Sequence, residues 1–102
     1  MIPPRPERPT QNELRESWAI TVSLLESAKQ ELTASQLGDY TEFLCHNELE
    51  LALDELERAG DEGPRSAKFW QLLAAAADNM KLVKRAADLR KRFDVVGNKE
   101  QL

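Results

Sequence analysis

Only one cysteine, Cys45, occurs among the 102 residues, so the chain cannot form an internal disulfide. A free thiol is typical of proteins kept in a reducing compartment, and we therefore expect a cytoplasmic protein. Metal ligands are equally scarce, because His46 is the only histidine and neither a Cys-x-x-Cys nor a His-x-x-x-His pair is present. Tetrahedral zinc takes four ligands at a structural site, so the sequence predicts no metal centre.

Signatures of catalysis are also missing from the sequence. Neither a glycine-rich phosphate loop nor a nucleophile elbow occurs in it. Cys45 and His46 are adjacent, and neighbouring residues on a helix point about 100° apart, which is poor geometry for a nucleophile and its base. We therefore predict that the protein is not an enzyme and that it binds no cofactor.

Long hydrophobic runs are absent, since no stretch approaches the roughly 18 apolar residues of a membrane-spanning helix. The start, MIPPRPERP, has basic residues but no apolar segment after them, so we expect no secretory signal and no membrane partner. Four of the five prolines lie in residues 1–9, which predicts an extended or disordered arm. The remaining composition is typical of one folded domain, predicted at 10–94, with a tail at 95–102.

Apolar residues recur at intervals of three and four along most of the chain, which is the period of an amphipathic helix. No segment is a candidate strand, and the connections between the periodic segments are short. The sequence therefore predicts an all-α fold, a compact bundle of about five antiparallel helices at approximately 11–32, 34–45, 48–59, 66–79 and 82–93.

Several of the predicted helix ends carry capping residues. Thr10 and Glu13 form a capping-box pattern at the start of the first helix. Asn47 is predicted to cap the start of the third helix, and Ser66 the start of the fourth. Gly60 is predicted to end the third helix in the left-handed conformation that glycine adopts most easily.

The third predicted helix is strongly two-faced. At 100° per residue, its apolar residues fall on one side: Leu49, Ala52, Leu53, Leu56 and Ala59. Leu51 breaks this pattern, because it lies in the middle of the polar side. Either another helix covers Leu51, or it is an exposed contact residue ringed by carboxylates. The candidate partner-binding residues on this side are Glu48, Glu50, Leu51, Asp54, Glu55 and Glu57.

The net charge of −4 hides an asymmetry along the chain. Residues 1–62 contain fourteen acidic residues against five basic ones, a net of −9, whereas residues 63–102 contain four against nine, a net of +5. The two halves can pair with each other inside the molecule, or the acidic half can present a surface to a basic partner.

The predicted last helix has a basic side, formed by Lys84, Arg85, Lys91 and Arg92 around Asp88. Lysine and arginine on one side of a helix are typical of contacts to nucleic-acid phosphates. However, the acidic total and a pI of about 5.0 argue against nucleic acid as the partner, because nucleic-acid-binding domains are usually basic.

Two segments, FLCHNELELALDEL at 43–56 and FWQLLAAAADNMKL at 69–82, follow one another across a short loop. Together they resemble the Maf-type immunity proteins of bacterial polymorphic-toxin systems, over roughly residues 36–93. The pair Asn47-Glu48 is the distinctive part of the likeness. The sequence departs from that family at Lys81, which stands in place of a glycine at a turn. The remaining matches are Phe43, Leu44, Ala52, Leu53, Leu56, Phe69, Leu72, Ala76, Met80 and Leu82.

The resemblance implies a small helical protein that binds a cognate toxin domain, often a nuclease, and blocks it stoichiometrically. An acidic helix face suits that role, since a nuclease cleft attracts phosphates and opposite charge speeds association. The residues by themselves leave two other classes open, a helical adaptor that could homodimerise and a weak nucleic-acid binder using the last helix. We accordingly expect a monomer or a homodimer.

Overall fold

All five predicted helices are present in the computed structural model, which describes residues 11–100 and the side chains of 15–97. The described part of the chain contains no strand, so the predicted all-α bundle is confirmed. The predicted arm at 1–9, the capping residue Thr10 and residues 101–102 lie outside it. The elements are α1 Gln11–Lys29, a 3-10 turn Ala34–Gln36, α2 Tyr40–Cys45, α3 Leu49–Gly60, α4 Ala67–Asn79 and α5 Val83–Glu100.

Helix α4 is the centre of the bundle and runs antiparallel to α1. At its C-terminal end, Asn79 Nδ2 donates to the carbonyl of Ser17 at 2.6 Å and to Thr21 Oγ1 at 2.7 Å. At its N-terminal end, the backbone N–H of Ser66 donates to Glu31 Oε1 at 3.0 Å. These contacts tie one end of α4 to the middle of α1 and the other end to the turn that follows α1. The fully buried side chains between the helices include Leu25, Tyr40, Leu53, Leu56, Phe69, Leu73 and Leu89.

Two predicted helices are shorter than the periodicity indicated. The first was predicted to reach 32, but the amides of Gln30, Glu31 and Leu32 bond to carbonyls only three residues back, which tightens this end into a turn. The second was predicted at 34–45, but Gly38 adopts φ +56° and separates the 3-10 turn from α2. A left-handed residue cannot continue a right-handed helix, so one predicted element becomes two.

Asn47 is not the N-cap of α3, which corrects the prediction. It adopts φ +59°, and its N–H bonds to the carbonyl of Leu44 while the N–H of Glu48 bonds to that of Phe43. This is the Schellman arrangement that closes a helix C-terminus, so Asn47 ends α2. Glu48 is the N-cap of α3, and its side chain makes no capping hydrogen bond.

Lys81 closes α4 in the same way. It adopts φ +66°, its N–H bonds to the carbonyl of Asp78, and the N–H of Leu82 bonds to that of Ala77. The turn therefore forms without a glycine, with a lysine held in a conformation that costs a residue with a Cβ about 1–2 kcal/mol. Ser66 caps the other end of α4, as predicted, with its Oγ accepting from the N–H of Phe69 at 3.2 Å.

Gly60 is the last residue of α3, but it does not have the predicted left-handed conformation. The absence of a side chain at Gly60 instead lets the backbone of α3 approach the rings of Phe69 and Trp70 closely. A Cβ at this position would lie 2.5 Å from Phe69 Cε1 and 2.8 Å from Trp70 Cη2. The two rings form an edge-to-face pair with centroids 5.0 Å apart, and the backbone of α3 packs directly on them.

Helix α5 continues to Glu100, past its predicted end at 93, so the predicted tail from 95 is helical as far as the structure describes it. Its buried residues, Ala86 and Leu89, face α4 across the antiparallel hairpin. Within the described chain, none of the helices combines the length and apolar character needed to cross a membrane.

Candidate protein-binding surface

Leu51 is exposed on the outer side of α3. Its neighbours on the buried side, Ala52, Leu53 and Leu56, have no accessible surface, whereas Leu51 is 41% exposed. Of the two alternatives that the sequence left open, coverage by another helix is therefore wrong and exposure is right. Leu51 is one of the exposed large apolar side chains of the described residues, together with Trp18, Ile20, Val83 and Val95. It differs from the apolar side of α3 in lying among carboxylates.

Two of the predicted binding residues, Glu48 and Glu50, are exposed at the N-terminal end of α3. Neither carboxylate has a hydrogen-bond or ion-pair partner among the described residues. Glu48 lies three residues before Leu51 on the helix, a spacing that puts the two side chains side by side. These three residues, Glu48, Glu50 and Leu51, are called the acidic surface below.

Asp54 and Glu57 are instead engaged by α5. The guanidinium of Arg85 donates to Glu57 Oε2 through Nη2 at 2.6 Å and through Nε at 2.9 Å, and it also pairs with Asp54. Partial burial lowers the pKa of Arg85, but its hydrogen bonds to the two carboxylates outweigh that effect and raise the pKa above its ordinary value. The interaction joins α3 to α5 and engages two carboxylates of the predicted binding set in internal ion pairs.

Arg92, two turns further along α5, repeats the pattern near the end of α3. It pairs with Asp61, its Nη2 lies 3.7 Å from Glu57 Oε1, and its guanidinium stacks 4.7 Å from the centroid of the Trp70 ring. The acidic and basic halves of the chain thus pair with each other inside the molecule along this helix–helix contact, which is the first of the two interpretations of the charge asymmetry.

Glu55 is also engaged, by a residue of its own helix. Arg58 contacts Glu55 Oε2 at 2.9 Å and Glu62 Oε1 at 2.6 Å, and it donates to the carbonyl of Gln36 at 3.2 Å. The side-chain hydrogen bond that Arg58 donates to Glu55 is the largest of the effects that raise the pKa of Arg58. This cluster ties the 3-10 turn to α3, and Gly38 leaves the space for it, since a Cβ there would lie 2.5 Å from Glu55 Oε2.

Two acidic residues that the sequence interpretation did not select belong to the same helical hairpin. Asp39 and Glu42 are exposed, and neither carboxylate has a partner within the described ranges. The signal that could have found them is a composition shift, because residues 30–57 contain eight acids and no lysine or arginine. Four unpaired carboxylates on α2 and α3 give this part of the surface a negative potential.

The described residues contain no group of three or more His, Cys, Asp or Glu side chains that could hold a metal ion. Cys45 and His46 are both exposed near the end of α2. The acidic surface offers a partner one exposed apolar side chain beside unpaired negative charges. No protein-family model, curated protein or solved structure matches the chain.

Proposed function

We propose that this protein is a non-enzymatic inhibitor that binds a basic partner protein through the acidic surface of α3. The observation that carries the proposal is the 41% exposure of Leu51 next to Glu48 and Glu50, on a helix whose other carboxylates are paired. Interfaces concentrate binding energy in a few residues near their centre, which a polar rim surrounds. Leu51 is the anchor in this arrangement, and the two unpaired glutamates begin the rim.

The partner is a cognate bacterial toxin domain, as the resemblance to Maf-type immunity proteins implies, and a nuclease domain fits the charge best. A nuclease cleft is positively charged because it receives a phosphate backbone, so it attracts unpaired carboxylates over several ångströms. Fast, charge-steered association suits a protein that must reach a toxin before its substrate does. The free thiol of Cys45 supports a cytoplasmic site of action.

The internal pairs reduce the predicted binding set to its exposed members. Reversing Asp54 or Glu57 would place a positive charge against Arg85 and disturb the contact between α3 and α5, whatever the effect on a partner. Glu48 and Glu50 can be changed without breaking a described pair. The binding test therefore uses these two residues with Leu51.

The proposal expects a neighbouring gene that encodes a toxin domain. The test measures the affinity for that purified domain and the protection of bacteria that express it. The double variant Glu48→Lys with Glu50→Lys, and separately Leu51→Ser, should each lower affinity for the purified toxin domain by at least about tenfold, because rim charges set association and the anchor sets residence. The matched control is Glu16→Lys with Asp94→Lys, which changes the net charge equally at exposed positions elsewhere. Circular dichroism and thermal unfolding establish that each variant is folded.

The proposal is wrong if the folded double variant and Leu51→Ser both protect as well as the unaltered protein. It is equally wrong if the unaltered protein neither binds nor protects. If the Glu16 and Asp94 control also loses binding, the affinity depends on the net charge of the protein and not on the acidic surface.

The two other classes have less support from the geometry. A homodimer formed by pairing of acidic and basic halves would need Arg85 and Arg92, and both already pair within their own chain. Because Arg85 and Arg92 are paired, Lys84 and Lys91 are the main exposed cations of the basic side. Two lysines offer few contacts to the phosphates of a nucleic acid. A salt-sensitive dimer in light scattering would support the former class, and retention on heparin the latter.

A further inference from the structure

A second surface feature lies at the other end of α3. The loop after Gly60, the start of α4 and the last turns of α5 enclose an open groove of about 600 Å³. Its apolar wall consists of Pro64, Trp70, Val95 and Val96, and Val95 is 54% exposed. This volume falls within the range of small-molecule sites, which are mainly apolar with a few polar groups.

The charged groups of the groove are mostly cations. Arg65, Lys91 and Arg92 line it with a single acid, Asp61, which is already paired with Arg92. Lys91 lies 3.8 Å from Asp88, but its side chain is 79% exposed, so the contact leaves it free to turn toward a ligand. The groove therefore has an excess of positive charge beside apolar surface.

Arg65 is an incompletely satisfied cation in the wall of this groove. Its Nη1 and Nη2 reach the carbonyls of Pro64 and Ala59 at 3.4 Å, which is long for a hydrogen bond. Its Nε is buried and has no hydrogen-bond partner. A buried donor without an acceptor destabilises the structure, and an anion in the groove would offer the acceptor that the protein lacks.

We propose that this groove binds a small organic anion, an apolar body that carries one carboxylate. The apolar body packs on Trp70, Val95 and Val96. The carboxylate lies toward Arg65, whose guanidinium turns from its two long contacts to donate to it, with Lys91 as the second cation. The site is separate from the acidic surface, so it stands or falls independently of the proposed inhibition.

The test is a titration of the ¹⁵N-labelled full chain with octanoate, followed by NMR. We expect saturable shifts of the backbone amides of Gly60, Gly63 and Val96 and of the indole N–H of Trp70. Octylammonium has the same tail and the opposite charge, and its affinity for these positions should be at least about tenfold weaker, since it meets like charge. The pair separates recognition of an anion from partitioning of a tail into apolar surface.

A matched pair of variants at one exposed position tests the charge. Both Val95→Glu and Val95→Lys remove one apolar contact, so the difference between them reports the charge: Val95→Glu should bind octanoate about tenfold more weakly than Val95→Lys. Because Val95 is exposed, neither change should affect folding, which thermal unfolding checks. The proposal is overturned if octanoate at about 1 mM gives no saturable shift at the groove, if the shifts occur elsewhere, or if octylammonium and octanoate bind equally.

Discussion

Arg85 of α5 donates two hydrogen bonds to one carboxylate oxygen of Glu57 on α3, from Nη2 at 2.6 Å and from Nε at 2.9 Å. The two residues lie 28 positions apart, in the oppositely charged halves of the chain. Through this pair, part of the negative charge of α3 serves the packing of the bundle. The unpaired charge of α3 lies at the other end of the helix, at Glu48 and Glu50.

Arg85→Ala should lower the free energy of unfolding by about 1–2 kcal/mol, because it leaves Asp54 and Glu57 without their partly buried cation. The neighbouring residue Lys84 is exposed, so Lys84→Ala should change stability by less than about 0.5 kcal/mol. Urea unfolding of both variants provides the measurement. Equal effects of the two substitutions would contradict a stabilising role for the Arg85 pair.

Gly60→Ala should destabilise the protein by about 1–2 kcal/mol, although alanine is the better helix former, because its Cβ would overlap Phe69 and Trp70. A Cβ added at Gly97 in α5 would meet only open space, so Gly97→Ala should stabilise the protein by up to about 1 kcal/mol. Thermal or urea unfolding of this pair separates packing from helix propensity. Stabilisation by both changes would mean that α3 does not approach the aromatic pair closely.

Lys81→Gly should raise the free energy of unfolding by about 1 kcal/mol, because glycine adopts φ +66° without the clash of a Cβ. Lys91 is an exposed lysine inside α5, and Lys91→Gly should have the opposite effect, a loss of about 1 kcal/mol. Both variants remove one positive charge, so charge does not distinguish them. If Lys81→Gly also destabilises, α4 does not end in the Schellman turn.

The Tyr40 hydroxyl should make the protein less stable at high pH. Burial, followed by the charge of Glu26 and the hydrogen bond to it at 3.3 Å, raises the pKa of the Tyr40 hydroxyl well above its ordinary value of 10.0. The folded state therefore keeps the proton on Tyr40, while the unfolded state loses it above about pH 10. The contribution of this group to the free energy of unfolding is complete below that pH. It falls as the pH rises further, by at most about 1.4 kcal/mol per pH unit.

The comparison with Tyr40→Phe isolates this effect from the titration of lysines. The variant has no phenol to ionise, so the stability advantage of the unaltered protein over it should shrink by about 1 kcal/mol between pH 9 and pH 11. Urea unfolding at the two pH values gives the difference. A difference that stays constant with pH would show that the hydroxyl is not held in its neutral form.

The helices and their buried sides could be predicted from the sequence, because a period of 3.6 residues is a local property that each segment carries by itself. Ser66 is an example, since an N-cap needs only the three residues that follow it. The boundaries at Gly38 and Asn47 were predicted less well. Both residues can be helical or left-handed, and their neighbours along the chain do not decide between the two.

The candidate binding surface was predicted only in outline, because a helix wheel does not show what another helix brings to its polar side. The sequence by itself determined that α3 has one apolar side and that Leu51 lies opposite it. Only the tertiary structure decided that Arg85 and Arg92 arrive beside Asp54 and Glu57, that Gly60 meets Phe69 and Trp70, and that Leu51 stays exposed. The physical reason is that charge pairing and close packing depend on the distance between elements far apart in the chain, which the period of a single helix does not encode.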